Sequence, residues 1–501
     1  MNAFIKYSLI TSILLTSVCN AIAAEPQTTP KHITKQTWYM AKSPNFTILS
    51  DTGKKRTVEL AKNLERFRSA FSLLTNVTLS ETMRPVTVIA SKRDKTYKLL
   101  RGDSDVIKNS SGFFQDSLTG NFSAIKVSKQ RNTFDLKILF HEYTHYAKAN
   151  LVTNNSPFWY NEGFAEYMGQ IEFKNDLVMN FGKPSPWHLH NINNTEWMPL
   201  EELLNATYIK SDEKERRYKI YSQGWLLTHY LSHNNKDRKV KWKLLSLLSE
   251  GVDPVDAIEQ TTNNNFDDFE NELRAYARKQ KHSFQEIHLE NPLDVNELSV
   301  VKLSKAEANY QIGEFILQAR NNMDVARSFF EKAVEIDNQH VNAITGLANT
   351  YLGSDIEKMT RLIDQAKGIE PNNPWLATVS GHLNSWKMNI AEDEATRKEF
   401  WNKAARDYNV AINSSSLNVE AISAAASLYW NAKRYEKFLE LTELTYLIAP
   451  SNYNIRTKLI AAYVTNNQLE KAEEIATLVR RNHHMSSEQL EKFEEWYKQI
   501  N

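Results

Sequence analysis

The sequence predicts a chain in two parts, an α+β domain followed by an all-α solenoid of helical hairpins. Three observations lead there. Upstream of residue 130, short alternating or β-branched runs frame one long amphipathic helix, the β-α-β opening of a mixed sheet. Two apolar, aromatic-rich helices then follow around residues 134–169, and the first carries His141-Glu142-Tyr143-Thr144-His145. From residue 306 onward, apolar landmarks recur with a spacing of 34 residues.

In chain order, Trp38 to Ser50 (WYMAKSPNFTILS) closes on the alternating run Phe46-Thr47-Ile48-Leu49, a strand signal. Val58, Leu60, Leu64, Phe67, Phe71 and Leu74 mark one face of a helix over 57–74. Arg84-Pro85 opens a second strand, Val86 to Ala90. Gly112 to Gln115 and Asn121 to Val127 read as two more, joined through Thr119-Gly120. Whether the strand leading into the His-Glu helix is an edge strand, able to pair an extended ligand, or an ordinary inner strand stays open at this stage.

Phe134, Leu136, Ile138, Leu139, Phe140, Tyr146 and Ala147 supply the apolar positions of that helix, with Asn132 or Thr133 as N-cap. Positions i and i+4 share a helix face, so His141 and His145 project together and can share one Zn²⁺. Glu142, one step round the turn, can reach metal-held water without being a ligand. Ser156-Pro157 breaks the chain. A second helix then carries Glu162, seventeen residues beyond His145, as third ligand, and Glu166 one turn on. Two nitrogens and one carboxylate leave a coordination position open, as a catalytic site requires. A purely structural core helix leaves unexplained two acids on one face of an apolar, aromatic-rich segment.

Beyond Gly169 the pattern is helical with polar interruptions: Pro199 to Leu204, Tyr218 to Leu231, Leu244 to Leu248 and Phe266 to Tyr276. The character changes near Asn291-Pro292. Tyr429 and Tyr463 stand 34 residues apart, as do Phe438 and Ala472, which is the tetratricopeptide period. Between Trp375 and Ala411 the spacing stretches, so one hairpin there is expected to be enlarged.

Composition narrows the function classes. Lys and Arg number 61 against 60 Asp and Glu, interspersed, which favours neither nucleic acid nor an anionic membrane. Lys6, the apolar run Leu9 to Val18 and Ala21-Ile22-Ala23 read as a secretory signal ending near Ala24, too short to span a bilayer. The single cysteine, Cys19, lies within it, so the processed chain has neither disulfides nor thiolate metal ligands. An exported, periplasmic or secreted protein is expected.

HEYTH and PFWYNEGFAEYM, with SPNFTIL, LERFR and PVTVIASKRDKTYKLL upstream and YSQGWLLTHYL downstream, resemble the peptidase MA-like gluzincins, the clan of thermolysin and aminopeptidase N. The resemblance covers roughly Trp38 to Lys279. It implies His141, His145 and Glu162 as ligands of one Zn²⁺ and Glu142 as general base. Glu166 takes the place of an acid that steadies a ligand histidine. Tyr221 is the candidate for supporting the oxyanion, with Tyr218, His188 and His190 behind it. A G-x-M-E-N stretch for gripping a free N-terminus is missing, so exopeptidase activity is not implied.

The resulting expectation is an α+β zincin-like metallopeptidase domain plus an all-α tetratricopeptide-like solenoid. Its parts are a signal peptide (1–24), the peptidase domain (25–290), a linker (291–305) and helical repeats (306–501). The expected activity is zinc-dependent hydrolysis of exported proteins or peptides, with a protein partner or substrate meeting the repeats and no transmembrane segment after processing. The alternative is a non-catalytic periplasmic scaffold that uses the repeat surface beside a degenerate peptidase domain.

Overall fold

The computed structural model describes residues 31–79, 84–102, 110–128, 134–151, 156–206, 213–233, 239–262, 264–292, 298–320, 322–414, 418–480 and 487–500. The stretch expected to be a signal (1–24) and the two expected N-cap residues, Asn132 and Thr133, lie outside them. After a short helix α1 (Lys31–Thr34), the first half runs β1 (Tyr39–Lys42), β2 (Phe46–Ser50), α2 (Lys54–Thr75), β3 (Val86–Ser91), α3 (Asp94–Arg101), β4 (Gly112–Asp116) and β5 (Asn121–Lys126). Helices α4 (Phe134–Leu151) and α5 (Phe158–Gly169) follow. A sixth strand, β9 (Ser299–Lys302), from the stretch expected to be a linker, completes a sheet ordered β4-β5-β3-β2-β1-β9.

Strands β2, β3 and β5 are parallel, while β4 runs antiparallel to β5. This closes the question about the strand entering α4. β5 lies inside the sheet, because the tight β4–β5 hairpin turns β4 outward to the edge.

Alternation along the strands divides the side chains between two cores. Phe46, Ile48, Val86, Val88 and Ala90 face α2 and α4, meeting Leu64, Phe67 and Phe140. Phe67 stacks on Phe140 with centroids 4.2 Å apart, which seats α4 against α2. Leu49, Ile89, Phe113, Phe122 and Ala124 point the other way, onto α12 (Lys305–Arg320), through Ile312, Phe315 and Ile316.

The segment after α5 departs from the helical expectation. β6 (Glu172–Phe173) and β7 (Val178–Phe181) form a small antiparallel sheet with β8 (Gln285–His288). Strands of two to four residues are too short to show periodicity, and β8 arrives from more than a hundred residues away. Around this sheet lie α6 (Pro186–Asn194), α7 (Leu200–Leu204), α8 (Lys214–His233), α9 (Lys239–Ser249), α10 (Pro254–Thr262) and α11 (Phe266–Ala277).

The C-terminal part pairs α12 with α13 (Met323–Ile336), α14 (Val341–Asn349) with α15 (Ile356–Ile369), and α16 (Pro374–Ile390) with α17 (Glu394–Ile412). Then come α18 (Val419–Asn431) with α19 (Tyr435–Ile448), α20 (Tyr453–Thr465) with α21 (Leu469–Arg480), and a last helix α22 (Ser487–Ile500). The positions spaced by 34 fall on equivalent helices: Tyr429 and Tyr463 on α18 and α20, Phe438 and Ala472 on α19 and α21. The stretched hairpin is α16–α17, with helices of 17 and 19 residues against 13 and 14 in α18–α19. Asn322, Asp355, Asn373, Asp393, Asn418 and Asn452 cap α13, α15, α16, α17, α18 and α20 through their side chains. Among the described residues no helix is long and apolar enough to cross a membrane.

Candidate metal centre

Helix α4 is aimed from both ends. At its start, the Asp135 carboxylate accepts from the Ser128 backbone N–H at 3.1 Å and from Arg56 at 3.3 Å, tying the exit of β5 to the first turn. Near its end, Lys148 Nζ donates to Asn161 Oδ1 at 2.5 Å and lies over the rings of Tyr160 and Phe164. Burial pushes the Lys148 ammonium down to about 7. Helix α5 begins after Pro157, whose carbonyl accepts from the N–H groups of Tyr160 and Asn161.

With both helices fixed, three predicted residues meet. His141 Nε2 and His145 Nε2 are 3.0 Å apart, and Glu162 Oε2 lies 3.6 Å from the first and 3.4 Å from the second. Ligands about 2.0–2.1 Å from a tetrahedral cation stand about 3.3–3.4 Å from one another. The donor triangle therefore has the size a zinc ion needs, and two imidazoles with one carboxylate are donors that zinc accepts. Among the described residues this is the single cluster of three or more such groups close enough to share an ion.

Glu166 stands behind His141. Its Oε1 is 3.2 Å from His141 Nδ1, an ion-pair contact short of aligned hydrogen-bond geometry, while His141 Nε2 faces the centre of the triangle. Burial opposes a charge on Glu166, but His141 and His188 more than offset it and hold the carboxyl well below the usual range. For His141, burial works against the proton, yet Glu166, Glu142 and Glu162 together raise its pKa to about 9. A cation bound here would have to displace a proton from His141.

Glu142 is half-buried beside His141 on α4. Tyr221, on α8, places its ring 5.9 Å from that of His141. Burial, then the Glu162 carboxylate, push its hydroxyl well above the ordinary range, so it stays a hydrogen-bond donor. The other three oxyanion candidates divide. Tyr218 is 51% exposed. His190 is on the outer side of α6, beside Asn194. His188 is 1% exposed and turned away from the donor triangle, its Nε2 2.9 Å from Glu166 Oε2 and its Nδ1 3.1 Å from Ser222 Oγ.

Two features are not foreseen from the sequence. One is the His188–Ser222 pair behind Glu166. The other is the crossing of α5 and α8 at Gly163 and Gly224, where a Cβ on Gly163 would fall 2.3 Å from the Gly224 carbonyl. The Gly in NEG and the Gly in SQGW are visible as residues, but their meeting is not.

Comparison with known proteins adds an independent line. Residues 114–272, which include every residue of the donor triangle, match the model of the collagenase family of peptidases, peptidase M9. No curated protein matches the chain at a significant level. Among solved structures, the chain is similar to a thermophilic TPR protein of Thermus thermophilus, at 16% identity and TM-score 0.33, over 39% of this chain and 98% of that one. It is also similar to pilF of Pseudomonas aeruginosa, at 14% identity and TM-score 0.30, over 39% of this chain and 86% of that one. A third is MamA protein, at 16% identity and TM-score 0.26, over 38% and 94% of the two chains.

Proposed function

We propose that this chain is a zinc-dependent peptidase that hydrolyses peptide bonds of exported proteins or peptides, with His141, His145 and Glu162 holding one Zn²⁺. The observation that carries the reading is the donor triangle, whose edges of 3.0, 3.4 and 3.6 Å suit a tetrahedral zinc ion. The collagenase-family match over the same residues supports the reaction class. Export rests on the N-terminal sequence pattern alone.

A zinc ion held there supplies Lewis-acid chemistry, acidifying water and polarising a carbonyl oxygen. The chain's own residues do the rest. Glu142 takes the proton from the attacking water and delivers it to the leaving amine. Tyr221, kept protonated, donates its O–H to the oxygen on which negative charge gathers. Glu166 steadies the His141 ring from behind, with Nε2 facing the donor triangle. No nucleophilic side chain is required.

Two variants test this together. Wild type should bind about one zinc per chain and cleave members of a peptide library. Glu162→Gln should lose the metal. Glu142→Gln should keep the metal and lose activity by about 10²–10⁴-fold. Zinc bound by wild type with no cleavage of any peptide would overturn the peptidase reading.

A further inference from the structure

His188 is not needed for the mechanism above, yet it is among the most completely enclosed polar residues of the first half. It sits on α6, whose first turn is set by Pro186 and by Ser185, which accepts from the His188 backbone N–H. Its ring lies flat on Trp225, with centroids 5.3 Å apart and planes 17° apart. Both ring nitrogens are engaged. The Glu166 carboxylate only accepts, so Nε2–H donates to its Oε2 at 2.9 Å, and Nδ1 pairs with Ser222 Oγ at 3.1 Å. Glu166 then turns its other oxygen to His141 Nδ1 at 3.2 Å.

The result is a chain of contacts from α8 through α6 and α5 to α4: hydrogen bonds join Ser222, His188 and Glu166, and a 3.2 Å carboxylate–imidazole contact joins Glu166 to His141. A carboxylate on a helix can rotate about its last bond. A second donor on its far oxygen removes that freedom, so the near oxygen meets the ligand ring in one orientation. Trp225 and Ser222 fix His188 in turn, and both belong to the helix that carries Tyr221. Ser222 and Trp225 thus hold His188, His188 holds Glu166, and the Glu166 carboxylate faces the His141 ring.

We infer that His188 is a positioning residue for the metal centre, acting through Glu166 to set the orientation of His141 and so the affinity for zinc. This rests on the zinc reading above and adds to it Ser222 at the root, two hydrogen bonds and one carboxylate–imidazole contact from His141, with His188 as the working link. A residue that only fills space in the core would act on stability and leave metal affinity untouched.

The test measures zinc affinity of the full chain by competition with a chromophoric chelator, with unfolding followed separately. His188→Ala should weaken zinc binding by about 10–100-fold. His188→Gln, which can place an amide N–H toward Glu166, should recover most of that loss. Ser222→Ala, a milder cut that guards against misfolding of the alanine variant, should weaken binding by a few-fold. In a Glu166→Ala background, His188→Ala should cause no further loss, since its route to the metal is already cut. Affinity within two-fold of wild type for both His188→Ala and Ser222→Ala overturns the inference, as do losses that add fully in the Glu166→Ala background. Failure of the zinc reading is a separate result, because wild type itself would then bind no zinc at Glu162.

Discussion

Gly163 and Gly224 pass backbone against backbone, with the Gly163 Cα 3.4 Å from the Cβ position of Gly224. This contact brings α5 close enough to α8 for Glu162 and Tyr221 both to reach the neighbourhood of His141. A methyl on Gly163 would also fall 2.9 Å from Thr228 Oγ1, so the clash has no flexible side chain alone to absorb it. We expect Gly163→Ala to cost about 1–3 kcal/mol through overpacking and to lower zinc affinity, read by thermal unfolding and metal titration. Gly368→Ala is the counterpart. That helical site has open space around it, and the substitution should be neutral or stabilise by up to about 1 kcal/mol.

The contrast between these glycines explains what the sequence reveals. The donor triangle is legible because its spacing is local: i and i+4 on one helix, then a glutamate on the next after a proline break. The β-α-β opening and the 34-residue recurrence are legible for the same reason, since each repeats a pattern within a short window. Gly224 has no local signal that its partner is Gly163, sixty-one positions earlier. His188 reads from the sequence as a candidate for the reacting centre, while its ring faces the back of Glu166. Both depend on how α6 and α8 pack, which periodicity does not encode.

Tyr221 is the residue whose contribution can be isolated most cleanly. Tyr221→Phe keeps the ring beside His141 and removes only the hydroxyl. If that hydroxyl meets the developing oxyanion, kcat should fall by about 10²-fold while KM changes little. Zinc affinity should stay within a few-fold of wild type. Unchanged kcat would move the oxyanion role elsewhere.

Acid stability follows from a different histidine. His229 is fully buried, with Nδ1 2.8 Å from Tyr276 Oη and Nε2 2.8 Å from the Gly182 carbonyl. That pairing suits the neutral ring: Tyr276 donates to Nδ1, and Nε2–H donates to the carbonyl. Burial first, then His233, lower its pKa from 6.5 to about 3. Between those values the unfolded chain takes up a proton that the folded chain refuses. The stabilisation is therefore complete above pH 6.5 and is lost as pH falls toward 3. From neutrality to pH near 4.5 the loss from this group should be about 2.5 kcal/mol. Denaturant unfolding at the two pH values measures it, and His229→Gln, though less stable at neutrality, should show a smaller drop.

The last expectation concerns the seam between the two halves. Phe315 of α12 packs edge-on against Phe122 of β5 at 5.7 Å and lies 6.2 Å from Phe113 of the edge strand. Arg320, one turn further along, covers the Phe113 ring at 5.4 Å. The sheet face opposite the metal helices is thus covered by the first repeat helix, and Leu49, Ile89 and Ala124 share one core with Phe329 and Ile344 of the repeats. Removing the repeats would bare that face, so a chain ending before α12 should aggregate or stay partly unfolded. Phe315→Ala should cost about 3–5 kcal/mol, the loss from a buried phenylalanine and the cavity it leaves. Because the core is shared, loss of zinc binding and loss of repeat helicity should then move together to lower denaturant. If the two signals separate, with the metal centre surviving repeat unfolding, the halves are energetically independent despite their contact.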